Sequence, residues 1–433
     1  MKLSIKQYAT WAWIILLITA LVLPACAAGT TVQTPAATEE KVYELPVIAD
    51  ITGPYAGLCA SYYAAIEDFV TATNEAGGFK GIKIKMNWMD SQGNLDRSLS
   101  YFNKIIGQKK KPPIMLGWTS GIHEAMKPLF EEQKIVLITG AASAPQFAPP
   151  GWIFSEFADY ASAGGAYVNW FVKDYWPKWK PEEAKKRAPR LGAITWDSAF
   201  GRGPITNECL AYYKSIGVDW VGAEFMPTAP LDVSVQVSNM AKKNPDMVIG
   251  SNHPGAFASV LKEAVRQGLK TKDNENVLWL NVMSGADYNL PLLCNVDAYN
   301  GVMQWTVYEG WDVDSEATRK MTDLFVKNKR PPEMRIVGYY TSIQLVLIAE
   351  EAMGIALESK PLEEISGQDI YNILISGKTL NMRGITKDIT YSPTRRTPNE
   401  ILLNRFTPEG KLLPVTDWLT CPDLLPGGKD VPK

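Results

Sequence analysis

Residues Ile114–Pro145 read IMLGWTSGIHEAMKPLFEEQKIVLITGAASAP. The apolar runs Ile114–Trp118 and Ile135–Thr139 have the length of buried strands, and each runs into a loop of small and hydroxyl-bearing residues. Thr119 and Ser120 stand where a helix would start, and Gly140-Ala141-Ala142-Ser143-Ala144-Pro145 repeats the arrangement after the second run. Short strands that are apolar throughout belong to parallel sheets covered by helices on both faces.

The same alternation extends in both directions. Upstream, Leu45–Ile51 (LPVIADI) and Ile82–Trp88 (IKIKMNW) read as strands, with helix spacing over Ala60–Asn74 and Leu95–Gln108. Ile66, Phe69, Val70 and Thr73 share one face of the first helix, and Gly77-Gly78 stops it. Downstream, a second series has strands at Leu191–Trp196, Val218–Phe225, Met247–Gly250, Val277–Val282 and Gly301–Val307, with helices at Gly203–Ser215 and Gly255–Gln267. A long helix at Val337–Met353 and a strand-and-turn tail at Ile385–Leu412 follow. Two runs of β-α-β-α predict an α/β fold of two doubly wound parallel-sheet lobes.

Composition narrows the function. The chain has 433 residues, 46% hydrophobic and 21% charged, with a net charge of -2, which suits a globular protein and provides no basic face for nucleic acid. Lys2 and Lys6, the apolar run Trp11–Pro24 and then Leu23-Pro24-Ala25-Cys26 describe an export signal, too short to span a membrane. The last four residues resemble the lipobox of bacterial lipoproteins, which implies removal of residues 1–25, acylation of Cys26 and a lipid anchor in a bacterial membrane. Residues 26–41 are small, polar and aperiodic, and read as a flexible tether. The body is therefore expected outside the cytoplasm, where Cys59, Cys209, Cys294 and Cys421 could form disulfides in any of three pairings or remain buried thiols. Their wide spacing fits no metal site, and neither metal nor cofactor is expected. No G-x-S-x-G elbow, H-E-x-x-H helix, P-loop or dinucleotide fingerprint is present, and Gly117-Trp118-Thr119-Ser120-Gly121 puts its serine one place late for the elbow, so no enzyme is expected.

Ligands of open α/β sheets bind beyond the carboxyl ends of the strands. The loops there include Thr52-Gly53-Pro54-Tyr55, Asp90-Ser91-Gln92, the Gly117 and Gly140 loops, Asp197-Ser198-Ala199-Phe200-Gly201, Ser251-Asn252-His253-Pro254 and Val282-Met283-Ser284-Gly285. Hydroxyls at helix starts, with the helix dipole behind them, suit a carboxylate; they equally suit plain N-caps. At these residues the chain resembles the extracytoplasmic solute-binding proteins of branched-chain amino acid type ABC importers, leucine-binding-protein-like and of the type I periplasmic binding fold. The resemblance is carried, in order, by Ile51–Gly57, Asn74–Gly78, Gly81–Ile84, Asp90-Ser91, the Gly117 loop, Ile138–Pro145, Asp197–Gly203 and Gly338-Tyr339, and covers the chain from Val42 onward.

The resemblance implies two lobes joined by a hinge crossed three times, with lobe 1 at 42–160 and 310–365 and lobe 2 at 161–309 and 366–425. It implies a monomer that traps a small-molecule solute between the lobes and docks on membrane permease subunits; the alternative is a ligand-sensing partner of a membrane receptor on the same fold. By position, the solute carboxylate would meet Thr119 or Ser120 and the segment Ala141, Ala142, Ser143, while Phe200 and Leu58 stand where relatives place rings. Trp118, Phe200 and Met283 predict an apolar, aromatic cleft; Trp196 and Trp305 are expected in the core. An amino acid also needs an acceptor for its ammonium group. After Val282 the chain reads Met283-Ser284-Gly285, with Asp287 the nearest carboxylate and Asn252 and His253 in the preceding loop. The expected solute is thus an apolar amino acid or an aromatic or branched organic acid.

Overall fold

The computed structural model describes residues 41–272 and 275–432, all in one compact unit that begins at Lys41. Cys26, the signal and most of the tether lie outside the described residues. Among the described residues no helix is long and apolar enough to cross a membrane.

Two α/β lobes are present. The first sheet contains β1 (Val42–Ala49), β2 (Lys83–Asp90), β3 (Ile114–Gly117), β4 (Val136–Thr139) and β5 (Ile153–Ser155) in the order β2-β1-β3-β4-β5, all parallel. β3, β4 and β5 are buried along their whole length, as strands covered on both faces must be. The second sheet contains β6 (Arg190–Trp196), β7 (Asp219–Met226), β8 (Met247–Gly250), β9 (Leu278–Asn281) and β10 (Met303–Thr306). They run parallel in the order β7-β6-β8-β9-β10. A small hairpin of β11 (Thr379–Leu380) and β12 (Ile389–Thr390) stands apart, and β13 (Glu400–Phe406), β14 (Leu412–Pro414) and β15 (Leu419–Thr420) extend the second sheet antiparallel.

The expected helices form with shifted ends. Helix α1 spans Ala56–Glu75, α2 Leu95–Ile106 and α3 Ser120–Gln133. The helix expected over Gly203–Ser215 is interrupted: Pro204 sits in a short 3-10 turn, and Thr206 then caps Asn207–Ser215 by accepting from the Cys209 N–H. The 20-residue helix Val337–Ala356 packs along α1. A Cβ on Gly338 would lie 1.4 Å from the Tyr62 ring, so only glycine lets the two helices approach this closely.

The chain crosses between lobes at Ser155–Tyr160 and again after Thr306. The last crossing comes later than residues 365–366. Gly367–Leu374 packs on β4 and on Val337–Ala356, the Tyr391 hydroxyl donates to the Ser155 carbonyl (2.7 Å), and the buried Arg396 guanidinium donates to the Gly151 carbonyl (2.9 Å). From these contacts we place that crossing near residues 397–399. The four cysteines after the tether are all buried free thiols, so none of the three pairings forms.

Candidate functional site

A cavity of about 250 Å3 lies between the lobes at the carboxyl ends of both sheets. One wall is built by the start of α1 (Tyr55, Leu58, Cys59, Tyr62), by the β3–α3 turn (Trp118 to Ile122) and by Gly140. The facing wall comes from Ser198, Ala199 and Phe200 after β6, His253 after β8 and Ser284 after β9. The walls touch: the Tyr62 and Ser284 hydroxyls are 3.1 Å apart, and the Tyr55 ring lies 5.8 Å from His253 and 6.3 Å from Trp196. This is the closed arrangement.

Six of the residues singled out from sequence line this cavity: Leu58, Trp118, Thr119, Ser120, Phe200 and His253. Thr119 is the N-cap of α3, but its hydroxyl donates to the buried Asp50 carboxylate, which also accepts from the Ser91 hydroxyl and the Gly93 N–H. Its proton is therefore committed within the first lobe. Ser120 opens α3, and its hydroxyl approaches that of Tyr160, whose titration burial pushes up. The first N–H groups of a helix have no partner inside it, and here Ser120, Gly121 and Ile122 of that first turn line the cavity.

The other five stand behind the walls. Ala141, Ala142 and Ser143 are buried; the Ser143 hydroxyl donates to Glu124 and accepts from Gln146 Nε2 (2.9 Å). Asn252 ties the strand ends together, donating to the Ile194 carbonyl (3.1 Å) and accepting from Asn281 Nδ2 (2.8 Å). Met283 is in the apolar core. Asp287 does not face the cavity either. Its Oδ1 accepts the N–H groups of Val337 (2.8 Å) and Tyr288 (2.7 Å), and burial raises its carboxyl to about 7. Trp196 and Trp305 are core residues, with the Trp196 ring backing His253 at 4.5 Å.

Ser284 lines the wall from a loop the sequence singles out, whereas Tyr62 and Tyr160, and Glu156 behind them, are not legible there as wall residues. Both tyrosines are almost wholly buried, as their large partly apolar side chains suggest, yet both line the cavity. Glu156 sits in the first crossing, 3.0 Å from where a Cβ on Gly140 would be; its carboxyl oxygens have no partner, and burial drives its titration far up. Trp118 is also buried, and its indole N–H, likewise unpartnered, lies beside the same Gly140. Burial lowers His253 to about 3 and raises the Cys59 and Tyr62 groups well up. No residue lining the cavity carries a charge at neutral pH.

Comparisons with known proteins bear on the family and the fold. The family described as periplasmic binding protein matches residues 43–365. The Leu/Ile/Val-binding protein of Citrobacter freundii is 24% identical over 235 residues, 54% of this chain and 60% of that protein. The chain thus spans about three fifths of that relative's length. A branched chain amino acid ABC transporter structure from Thermus thermophilus with bound valine superposes with a TM-score of 0.78 at 21% identity, covering 88% of this chain and 97% of the other. A solute binding protein of an ABC transporter from R. palustris in complex with 4-hydroxybenzoate gives 0.69 at 17% identity, covering 89% and 98%. At these identities the structural likeness speaks to the fold.

Proposed function

The chain belongs to the periplasmic binding protein family, and from that premise we propose that it is the solute receptor of an ABC importer, capturing a small aromatic organic acid between its lobes and delivering it to the membrane permease. The uncharged cavity carries this reading. A carboxylate is served by the first turn of the 14-residue α3 and by the unpartnered Trp118 N–H; the dipole and the free N–H groups of such a turn attract anions. An ammonium group would enter a low-dielectric site with no ionised partner on its wall, a costly transfer. Dry apolar cavities of ~150 Å3 hold benzene, so about 250 Å3 leaves room for a ring with its carboxylate.

Capture follows from a hinge equilibrium. A solute touching both walls stabilises the closed form, in which Tyr62 meets Ser284 and Tyr55 meets His253. The permease then reads the closed shape. Acylation at Cys26 would hold the receptor, as a monomer, at the membrane from which it serves the permease; loss of acyl labelling in Cys26→Ser tests that part. For the solute, the test is a thermal-shift screen of the purified chain with aromatic acids, branched acids and amino acids. A ligand at 100 times its Kd adds about 2.7 kcal/mol of stability. A shift with benzoate-type acids and none with valine or leucine is the expected result. A shift with the amino acids alone would overturn the organic-acid reading and make Glu156 the ammonium partner to examine.

A further inference from the structure

We propose that His253 selects the solute by hydrogen-bonding a hydroxyl on its aromatic ring, so that hydroxylated aromatic acids are preferred over their unsubstituted parents. This inference rests on the organic-acid reading above.

His253 occupies the N-cap of the 13-residue helix Pro254–Arg266, yet its side chain makes no cap hydrogen bond. The next residue, Pro254, has no N–H to offer. The imidazole instead lies in the cavity wall, with ring centroids 4.5 Å from Trp196, 5.7 Å from Phe200 and 5.8 Å from Tyr55. Among the described residues nothing hydrogen-bonds to either ring nitrogen. A neutral imidazole keeps one N–H donor and one lone pair. Here three aromatic rings contributed by both lobes pack around the imidazole, which stays partly exposed at the cavity wall, so a solute that fills the cavity covers its polar groups and must supply their partner.

A hydroxyl matches this demand because it donates and accepts at once. A carboxylate only accepts, and it has the N–H groups of α3 on the other wall. The three rings around the imidazole suit the flat body that would carry such a hydroxyl. A solute that covers the imidazole without a hydroxyl leaves it desolvated and unpaired, and polar groups left so discriminate strongly between otherwise similar ligands.

The experiment is calorimetric titration of the purified full-length chain with benzoate, 3-hydroxybenzoate and 4-hydroxybenzoate, comparing wild type with His253→Phe and His253→Gln. Wild type is expected to bind one hydroxylated acid at least ten-fold tighter than benzoate. His253→Phe should bring the ratio of hydroxybenzoate to benzoate affinity close to one, whatever it does to benzoate itself, and His253→Gln, which keeps a donor and an acceptor, should retain part of that ratio. An undiminished preference in His253→Phe overturns the proposal, as does an equal loss for all three acids in both variants with unchanged melting temperatures. If wild type binds none of the acids but does bind valine or leucine, the organic-acid reading itself has failed, and this inference falls with it.

Discussion

The contact between Tyr62 and Ser284 offers a direct measure of lobe closure. Tyr62 projects from α1 in the first lobe and Ser284 follows β9 in the second; their hydroxyls are 3.1 Å apart and both residues are buried. The bond belongs to the closed form, so its free energy enters the closing equilibrium and through it the apparent affinity. Tyr62→Phe leaves the Ser284 hydroxyl without its partner, and Ser284→Ala does the same to Tyr62. Each loss should cost about 1 kcal/mol, or roughly five-fold in affinity. The double variant removes both members, so its loss should fall short of the two singles combined by at least about 0.5 kcal/mol. Calorimetric titration of the four proteins with one bound acid gives the cycle directly. Strictly additive losses, or singles with unchanged affinity, would refute the assignment of this bond to closure.

Other substitutions test the remaining assignments. Trp118→Phe removes the unpartnered indole N–H and should weaken binding of an aromatic carboxylate roughly ten-fold, since hydrogen bonds to charged groups are worth about 1.5–3 kcal/mol; an unchanged Kd would remove Trp118 from the carboxylate site. Ser143→Ala should lower thermal stability by about 1 kcal/mol through loss of the bond to Glu124 and leave solute affinity unchanged. Gly338→Ala should prevent folding or lower the melting temperature severely, because its Cβ would overlap the Tyr62 ring. Asp287 has a folded-state pKa of about 7 against an ordinary 3.8, so folding is favoured most below pH 3.8 and that advantage is lost as pH rises towards 7. At 1.36 kcal/mol per unit the loss is at most about 4 kcal/mol. Wild type should therefore lose more melting temperature between pH 4 and 7 than Asp287→Asn; parallel curves would exclude Asp287 as the cause.

Much of the fold is legible because buried parallel strands leave an unmistakable mark: Ile114–Trp118 and Ile135–Thr139 can hardly be anything else, and both form. What escapes is whatever depends on partners distant in sequence. β5 is only three residues long, and Gly367–Leu374 packs on β4 across more than two hundred residues of chain. The site shows the same division. A hydroxyl at the end of a strand can face a ligand or a neighbour, and the local sequence is the same in both cases. Ser120 faces the cavity, Ser143 faces Glu124, and Thr119 lines the wall while its proton goes to Asp50. Asn252 and His253 are adjacent, yet one binds strand ends together and the other turns into the cleft.

The Asp50 network bears on how fast a solute is taken up. The carboxylate, Thr119, Ser91 and Gly93 all belong to loops of one lobe. Their bonds do not wait for the other lobe to arrive. The turn that opens α3 is thus already ordered while the cleft is open, and a solute meets a finished half-site by diffusion before any closing motion. Encounter is then governed by the first lobe, and residence time by the second. Changes at Phe200 or His253 would shorten the stay of a solute without slowing its arrival, giving a protein that loads normally and empties early.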